Sequence, residues 1–457
     1  MSPDEGASWA AASAPTAREV IARQPLLNPG ELPIHDLMLH GWIALFGSSL
    51  TAMRALSAAL GVASILLVYF CVCELFAEST LTRDDVKIVG SLSAIVFALN
   101  LVTIKYSHEA RMYPLMLAAI LAQVTIFLRA LRIGGLANYG AVVFLTAIAI
   151  ASNFAALLIP ATEGLWLIYI IARARWRPGN LKVRRALMVA YALAGAGMIL
   201  VPKLFYSLHA ASAGDVGGWR KLPALYEPFA LFNKATGSFA FPILALLAIY
   251  GVIRGWNRGA RDSIAFALLW MWAPPLMMLI ASYGIAPVFV ERYALSCFVP
   301  FFILVAVGIF AMPTDLIRVG AASVGRAAVP AILRASVGRA AVSAIALALV
   351  VAFSLGHIVS YDRKSHDAQY REAIAAADSA LKPGEVMTIV PSYAIEVVRY
   401  YLPVDQLHRA VRYDSSSPTA AVLIIGDQNL APDDAESYKK EYPQTVARLR
   451  GITVLRK

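Results

Sequence analysis

The sequence predicts a mostly α-helical protein that crosses a membrane many times and carries a small C-terminal α/β soluble domain. Of its 457 residues 59% are hydrophobic and only 15% are charged, whereas an ordinary soluble domain is about a quarter charged. Mean hydropathy is +0.65, which a water-soluble chain of this size does not reach. The third observation is a change of composition at Tyr361, beyond which long apolar runs give way to short ones separated by polar helical stretches.

A bilayer span needs about 20 predominantly apolar residues. Runs of that kind lie near 51–76, 88–104, 112–131, 139–152, 154–172, 186–206, 235–253, 263–283, 293–311 and 340–359. They predict a transmembrane domain of about ten helices over 51–359. Ahead of it, residues 1–50 read as an outer acidic loop and an interfacial helix. The segment Pro33 to Gly47 is apolar but too short to span, and with His35, Asp36 and His40 it fits a helix lying in the membrane interface. The two histidines read as packing residues of that helix.

Residues 360–457 form the soluble unit. A helix over Asp367 to Leu381, a strand over Val386 to Val390, a helix over Tyr393 to Leu402 and a strand over Ala421 to Ile425 come first. A helix over Asp433 to Tyr442 and a last strand over Val446 to Leu455 follow, an alternation that predicts a small α/β fold. The basic, small-residue stretch Arg318 to Arg339 reads as a cytoplasmic surface helix. No internal repeat is evident.

Alternate loops differ in charge. Arg83 and Lys87, Arg129 and Arg132, the cations from Arg173 to Arg185, those from Arg254 to Arg261 and those from Arg318 to Arg339 share one set, which the positive-inside rule assigns to the cytoplasm. Residues 1–36, 105–111, 153, 207–234, 284–292 and everything after 360 then lie outside. The net charge of +11 is dispersed among these short loops, so the expected partners are membrane lipids and not nucleic acid. Cys71 and Cys73 lie two residues apart in one apolar helix and face different directions, and Cys297 sits in another span. They read as small buried hydrophobes.

Charges on the outer side need a reason, because ionisable groups at membrane depth are costly and are functional candidates by default. The block Tyr106-Ser-His-Glu-Ala-Arg-Met-Tyr113 places His108, Glu109 and Arg111 in a short turn between two spans. With Ser107 as N-cap, Glu109 and Arg111 fall in the first turn of the next helix. A cation there opposes the helix dipole unless an anion binds, and phosphate is the obvious one. The bland reading is an interfacial ion pair of Glu109 with Arg111 or Lys105. Glu291-Arg292-Tyr293 repeats the combination of acid, arginine and tyrosine at a second outer turn. Asp4 and Glu5 add adjacent carboxylates, which can serve as a general base or bind a divalent cation; the bland reading is a solvated acidic N-terminus.

These residues resemble a known family. Ser2-Pro-Asp-Glu5 looks like the acidic doublet of the GT-C glycosyltransferases, and Glu31-Leu-Pro-Ile-His-Asp-Leu-Met-Leu-His-Gly-Trp42, Phe46-Gly47 and Arg54-Ala-Leu-Ser57 resemble the stretch that follows it there. The Tyr106 to Tyr113 block is similar to the "YSQEARMY" block of the dolichyl-phosphate-mannose protein mannosyltransferase and aminoarabinose transferase branch, in its bacterial polyprenyl-phosphate-sugar form. Arg292-Tyr293 with Pro300 is similar to its "RY…P" block, and Tyr361 to Arg371 with Pro383-Gly-Glu385 to the segment leading into its outer domain.

The resemblance implies a plasma (inner) membrane protein with its C-terminal domain extracytoplasmic. It implies sugar transfer, with inversion, from a polyprenyl-phosphate donor to a glycan, lipid or protein acceptor. In that reading Asp4 is the base and Glu5 its neighbour or a metal contact, and no cofactor is required beyond a possible divalent cation. Arg111 and Arg292 hold the donor phosphate, Glu109 orients Arg111, and His108, Tyr113 and Tyr293 support the site. The chain departs from the family at His108, which replaces Gln, and at Glu31-Leu32, which replaces His-Pro. Family members also carry a transmembrane helix before the doublet, so the expectation is a truncated chain, a misplaced start or a protein without that helix. A transporter or flippase of lipid-linked sugars, and an inactive scaffold, are the alternatives. Transporters show repeated halves and helices broken near mid-membrane, neither of which this sequence displays.

Overall fold

A computed structural model describes residues 1–28, 31–174, 180–212, 222–237, 240–285, 287–324, 344, 347–352, 354–356, 358–359, 369–413, 420–426 and 432–457. The chain begins with three short helices, α1 (Pro3–Ala12), α2 (Ala17–Leu27) and α3 (Ile34–Phe46). The stretch read as an acidic loop is therefore largely helical, because its polar residues are caps. The Ser2 hydroxyl accepts from the Glu5 amide while the Glu5 carboxylate accepts from the Ser2 amide, a reciprocal capping box, and Thr16 caps α2. The expected interfacial helix is α3, whose last residues Leu45 and Phe46 are exposed.

The bundle comprises α4 (Leu50–Leu75), α5 (Arg83–Ala98), α6 (Leu101–Ser107), α7 (Tyr113–Ile133), α8 (Leu136–Ser152), α9 (Leu158–Arg173), α10 (Leu181–Ser212), α11 (Glu227–Thr236), α12 (Phe241–Asn257), α13 (Arg261–Gly284), α14 (Phe298–Val324) and the short apolar α15 (Leu347–Gly356). Turns of 3-10 helix precede α9 at Phe154–Leu157 and α14 at Glu291–Cys297. Among the described residues five helices are long and apolar enough to cross a membrane, and seven if each bent pair counts as one span. The protein is a multi-pass membrane protein. The run 88–104 is not one straight helix: α5 and α6 meet at 65°. Asn100 sits at the break, where its side-chain oxygen accepts from the amides of Val102 and Thr103 and satisfies donors that the bend orphans. The tenth run is described only in part, as α15, and most of the basic stretch Arg318 to Arg339 lies outside the described residues.

The segment Glu291–Ala311 is the axis of the bundle, with 94% of its most apolar window buried, whereas α4 is 39% buried by the same measure and turns Val62, Leu66 and Phe70 outward. Close approach of α12 to α14 depends on two glycines. A Cβ on Gly251 would collide with the Leu304 carbonyl oxygen, and one on Gly308 with that of Leu247, so the two backbones touch in the manner of small-residue membrane helix pairs. Inside the bundle Gln123 of α7 donates to Glu163 of α9 at 2.8 Å, and both side chains are buried.

The C-terminal domain contains α16 (Tyr370–Ala380), β1 (Met387–Val390), α17 (Ile395–Tyr401), β2 (Val422–Gly426), α18 (Pro432–Glu441), β3 (Gln444–Leu449) and β4 (Ile452–Arg456). Its sheet order is β1-β2-β4-β3, parallel between β1 and β2 and antiparallel elsewhere. What the sequence suggested was one last strand is a hairpin. Arg450-Gly451 makes the turn, Gly451 adopting φ 69°, a value that side chains disfavour, and β3 is the mostly exposed partner.

Helix α1 lies between this domain and the bundle. A Cβ on Gly6 would come within 2.9 Å of Val397 Cγ2, Trp9 meets Tyr400 edge-on at 5.2 Å, and the Tyr400 hydroxyl donates to the Ser48 carbonyl at 3.4 Å. Gly308→Val should abolish the monodisperse, folded protein on size-exclusion chromatography, since backbone cannot yield. Gly6→Val, which meets a side chain as well as backbone, should cost about 1–3 kcal/mol, read as a lower unfolding temperature and faster proteolysis between the two domains.

Candidate active site

The segments expected on the outer side gather at one end of the bundle. The turn 108–112 links α6 to α7, and Ser107 is not the N-cap of α7. It ends α6, its hydroxyl donating to the Thr103 carbonyl at 2.8 Å. Helix α7 begins at Tyr113 with Pro114 in its first turn, where a missing N–H costs nothing. Glu109 and Arg111 therefore stand before the helix and not in its first turn, so the dipole argument for anion binding at Arg111 does not apply as stated.

Arg111 is 5% exposed. Its Nη1 donates to the Asp4 carbonyl at 3.0 Å, the Ser8 hydroxyl at 2.9 Å and Asn28 Oδ1 at 2.7 Å, and its Nη2 to Glu31 at 3.2 Å. Asn28 in turn donates to Asp36 at 3.3 Å, and Asp36 accepts from His35 Nδ1 at 3.2 Å. One buried cation thus binds α1, the end of α2 and the start of α3. The acid that its guanidinium meets is Glu31; Glu109 is joined to Arg111 through the backbone, its carbonyl accepting from the Arg111 amide at 2.8 Å. His40 is the packing residue expected, its Nδ1 donating to the Ala12 carbonyl at 2.8 Å.

Glu5 is fully buried and forms a two-pronged pair with Arg54, at 2.7 Å to Nε and 2.9 Å to Nη2. Its Oε1 also accepts from the Ala110 amide at 3.0 Å. Burial would raise this carboxyl, but the Arg54 contacts, then the Ala110 and Ser2 amides, outweigh it and hold the group below 4.5. With both oxygens engaged, Glu5 fixes the first turn of α1 between α4 and the 108–112 turn.

Asp4, one residue earlier, points the other way. Its side chain is 45% exposed, and its carboxylate lies 3.5 Å from Arg292 Nη1. Arg292 belongs to the 3-10 turn before α14, and its guanidinium carbon is 5.7 Å from the Tyr113 ring and 5.9 Å from that of Tyr293. Tyr113 packs edge-on against Tyr106 at 5.2 Å, and Tyr293 against Phe154 at 4.9 Å. Two blocks that are 180 residues apart thus share one aromatic wall with a carboxylate and a guanidinium at its rim. His108 is exposed at the end of α6, outside this cluster. Among the described residues no group of three His, Cys, Asp or Glu side chains could hold a metal ion, and the Asp4 carboxylate is accessible.

Two other carboxylates sense burial. Glu31 is pushed up to about 8 by burial, against the pull of Arg111, and Glu109 up to about 7 by burial, against Lys105. Burial also opposes the Arg111 charge, but Glu31 and Asp4 outweigh it and keep the guanidinium cationic. In the Arg111–Glu31 pair, burial raises the Glu31 carboxyl while the guanidinium stays charged.

The fold and this rim define a multi-pass membrane protein with a polar site at one end of its bundle, roofed by a small α/β domain. That is the fold of the GT-C glycosyltransferases. No protein-family model matches the sequence and no curated protein is similar to it at the level of sequence. Among solved structures it is similar to ArnT from Cupriavidus metallidurans in the apo state, with a TM-score of 0.60 at 14% identity over 100% of this chain and 93% of that one. Against the same protein bound to undecaprenyl phosphate the TM-score is 0.57 at 14% identity, with the same coverage. The archaeal oligosaccharyltransferase AglB from Archaeoglobus fulgidus, in complex with an inhibitory peptide and a dolichol-phosphate, gives a TM-score of 0.56 at 11% identity, over 93% of this chain and 65% of that one.

Two tests follow from the buried charges. Arg54→Leu, which strands the Glu5 carboxylate, should destabilise the protein by about 3–5 kcal/mol, whereas Glu5→Gln in the same background should recover part of the loss in unfolding temperature. A carboxyl raised by folding makes stability fall as pH rises from its unfolded value of 4.5 to its folded value of about 7. Glu109→Gln should therefore flatten the decline in unfolding temperature over that window and leave the acid limb, where Glu5 loses its stabilising charge, unchanged.

Proposed function

We propose that the protein is a membrane glycosyltransferase that moves a sugar from a polyprenyl-phosphate donor to an acceptor hydroxyl at the Asp4 end of its bundle. The observation that carries this reading is the pairing of an accessible carboxylate, Asp4, with Arg292 at a rim built from two distant blocks. The reaction needs those two groups. Asp4 takes the proton of the acceptor hydroxyl as its oxygen attacks the anomeric carbon, the bond from that carbon to the phosphate oxygen breaks, and Arg292 stabilises the departing polyprenyl phosphate. A single displacement of this kind inverts the anomeric centre. Shared fold with ArnT in its undecaprenyl-phosphate complex supports the class of donor.

The other candidates take graded parts in this proposal. Arg111 reaches the phosphate's surroundings through Asp4, whose carbonyl it holds, and through the ring of Tyr113 at 6.0 Å. Glu5 positions Asp4 through the first turn of α1. Tyr113 and Tyr293 present their rings to Arg292, while Glu109 stands in the turn after α6 and His108 lies exposed outside the cluster. We place the site and the C-terminal domain on the extracytoplasmic side of the plasma membrane, following the charge bias of the loops.

Purified protein supplied with a radiolabelled polyprenyl-phosphate sugar and an envelope-lipid extract tests this directly. Asp4→Asn should reduce transfer about 100-fold or more, as loss of a general base does, while donor binding is kept. Arg292→Ala should weaken donor binding and transfer together. Wild-type transfer by both variants would remove the assignment.

A further inference from the structure

At the end of the bundle away from Asp4, the last turns of α4, α7 and α9 and the first turns of α10 and α13 enclose a cleft of about 540 Å³. Its inner wall is apolar, with Leu131, Trp166, Ile170 and Phe266. Trp166 stacks on Tyr169 at 4.9 Å and meets Phe266 edge-on at 5.3 Å. The mouth is charged. Arg132, Arg173, Lys182 and Arg261 line it together with Glu74, Glu78 and Asp262, four cations against three carboxylates. Arg129, 3.6 Å from Glu74, adds a fifth cation.

These charges are not equally committed. Arg132 holds Glu74 through two nitrogens at 3.1 and 2.6 Å, with both side chains mostly buried. By contrast the Arg173–Asp262 and Lys182–Glu78 pairs have side chains more than half exposed, and pairs of that kind contribute little and re-form easily. Arg261 has no carboxylate partner among the described residues. The cleft therefore offers an apolar wall between helices and, at its mouth, exposed cations whose solvated pairs can exchange partners for an incoming anion.

We propose that this cleft binds an anionic phospholipid, its acyl chain along the Trp166, Ile170 and Phe266 wall and its phosphate between Lys182, Arg173 and Arg261. A free anion would leave the apolar wall in contact with water, and a zwitterionic lipid would leave the excess of cations unused. Basic pockets between transmembrane helices take anionic headgroups on these grounds. The site stands apart from the proposed transfer chemistry and does not rest on it.

Native mass spectrometry of the intact chain, titrated with phosphatidylglycerol or phosphatidylcholine of the same chain length, tests the proposal. Phosphatidylglycerol should bind about tenfold more tightly. Arg261→Gln should reduce that preference, and Lys182→Gln with Arg261→Gln should abolish it, at an unfolding temperature matching wild type; Lys382→Gln, on the C-terminal domain, should leave it intact. Equal binding of the two lipids, or an undiminished preference in the double variant, would overturn the proposal. So would a rise in unfolding temperature with inorganic phosphate equal to that with phosphatidylglycerol, because the site would then recognise a free anion.

Discussion

A guanidinium that is 5% exposed has lost its water, and the protein must replace that hydration or lose the charge's stability. Arg111 is solvated by an Asp4 carbonyl, a Ser8 hydroxyl, an Asn28 amide oxygen and a Glu31 carboxylate. None of these belongs to a membrane span. Each belongs to the layer of short helices that precedes the bundle, and the need to satisfy one cation fixes that layer in place. Asp4 owes its position to this arrangement twice, through its own carbonyl and through the Glu5–Arg54 pair one residue on. An acidic segment becomes a carboxylate at a defined distance from Arg292, which is the preorganisation that the proposed transfer would need.

The two ends of the bundle use charge differently. Near Asp4 the ions are buried, hydrogen-bonded several times over and costly to rearrange, so geometry is fixed before anything binds. At the far cleft the pairs of Arg173 and Lys182 are solvated and interchangeable. Between the ends, α14 supplies an apolar axis whose helix contacts are set by shape, most tightly at Gly251 and Gly308. The break at Asn100 is compatible with this arrangement because the side chain of Asn100 repairs the hydrogen bonding locally.

Much of the architecture was legible because it follows from one-dimensional signals. Apolar run length located the helices, and charge alternation grouped the loops that meet at the Asp4 end. The alternation of elements after residue 369 was legible too, except at Arg450-Gly451, where a two-residue turn inside an otherwise strand-like run escaped notice. Asp4 and Arg292 were singled out, and the fold brings them together. The partners of Arg111 were not foreseen. Ser8, Asn28 and Glu31 are single polar residues in a stretch that reads as a loop, and nothing in spacing marks them as a cluster until α1 to α3 fold against one another. Glu31 did carry a signal, as the residue that departs from the family pattern. Glu109 was assigned to Arg111 by proximity in sequence, and the turn does join them through the backbone, while the guanidinium itself reaches across the fold to Glu31.

The wedge of α1 between the bundle and the C-terminal domain also bears on how the molecule is made. Gly6 and Trp9 are synthesised long before Val397 and Tyr400, against which they pack. The wall that seats α1 does not exist until the bundle helices between them have been synthesised and the C-terminal α/β domain has folded. In that interval α1 is held from the bundle side alone, by Arg54 and Arg111. A chain that stops short of the C-terminal domain would therefore leave α1 without that wall, so the rim beside Asp4 takes its final form only when the domain folds.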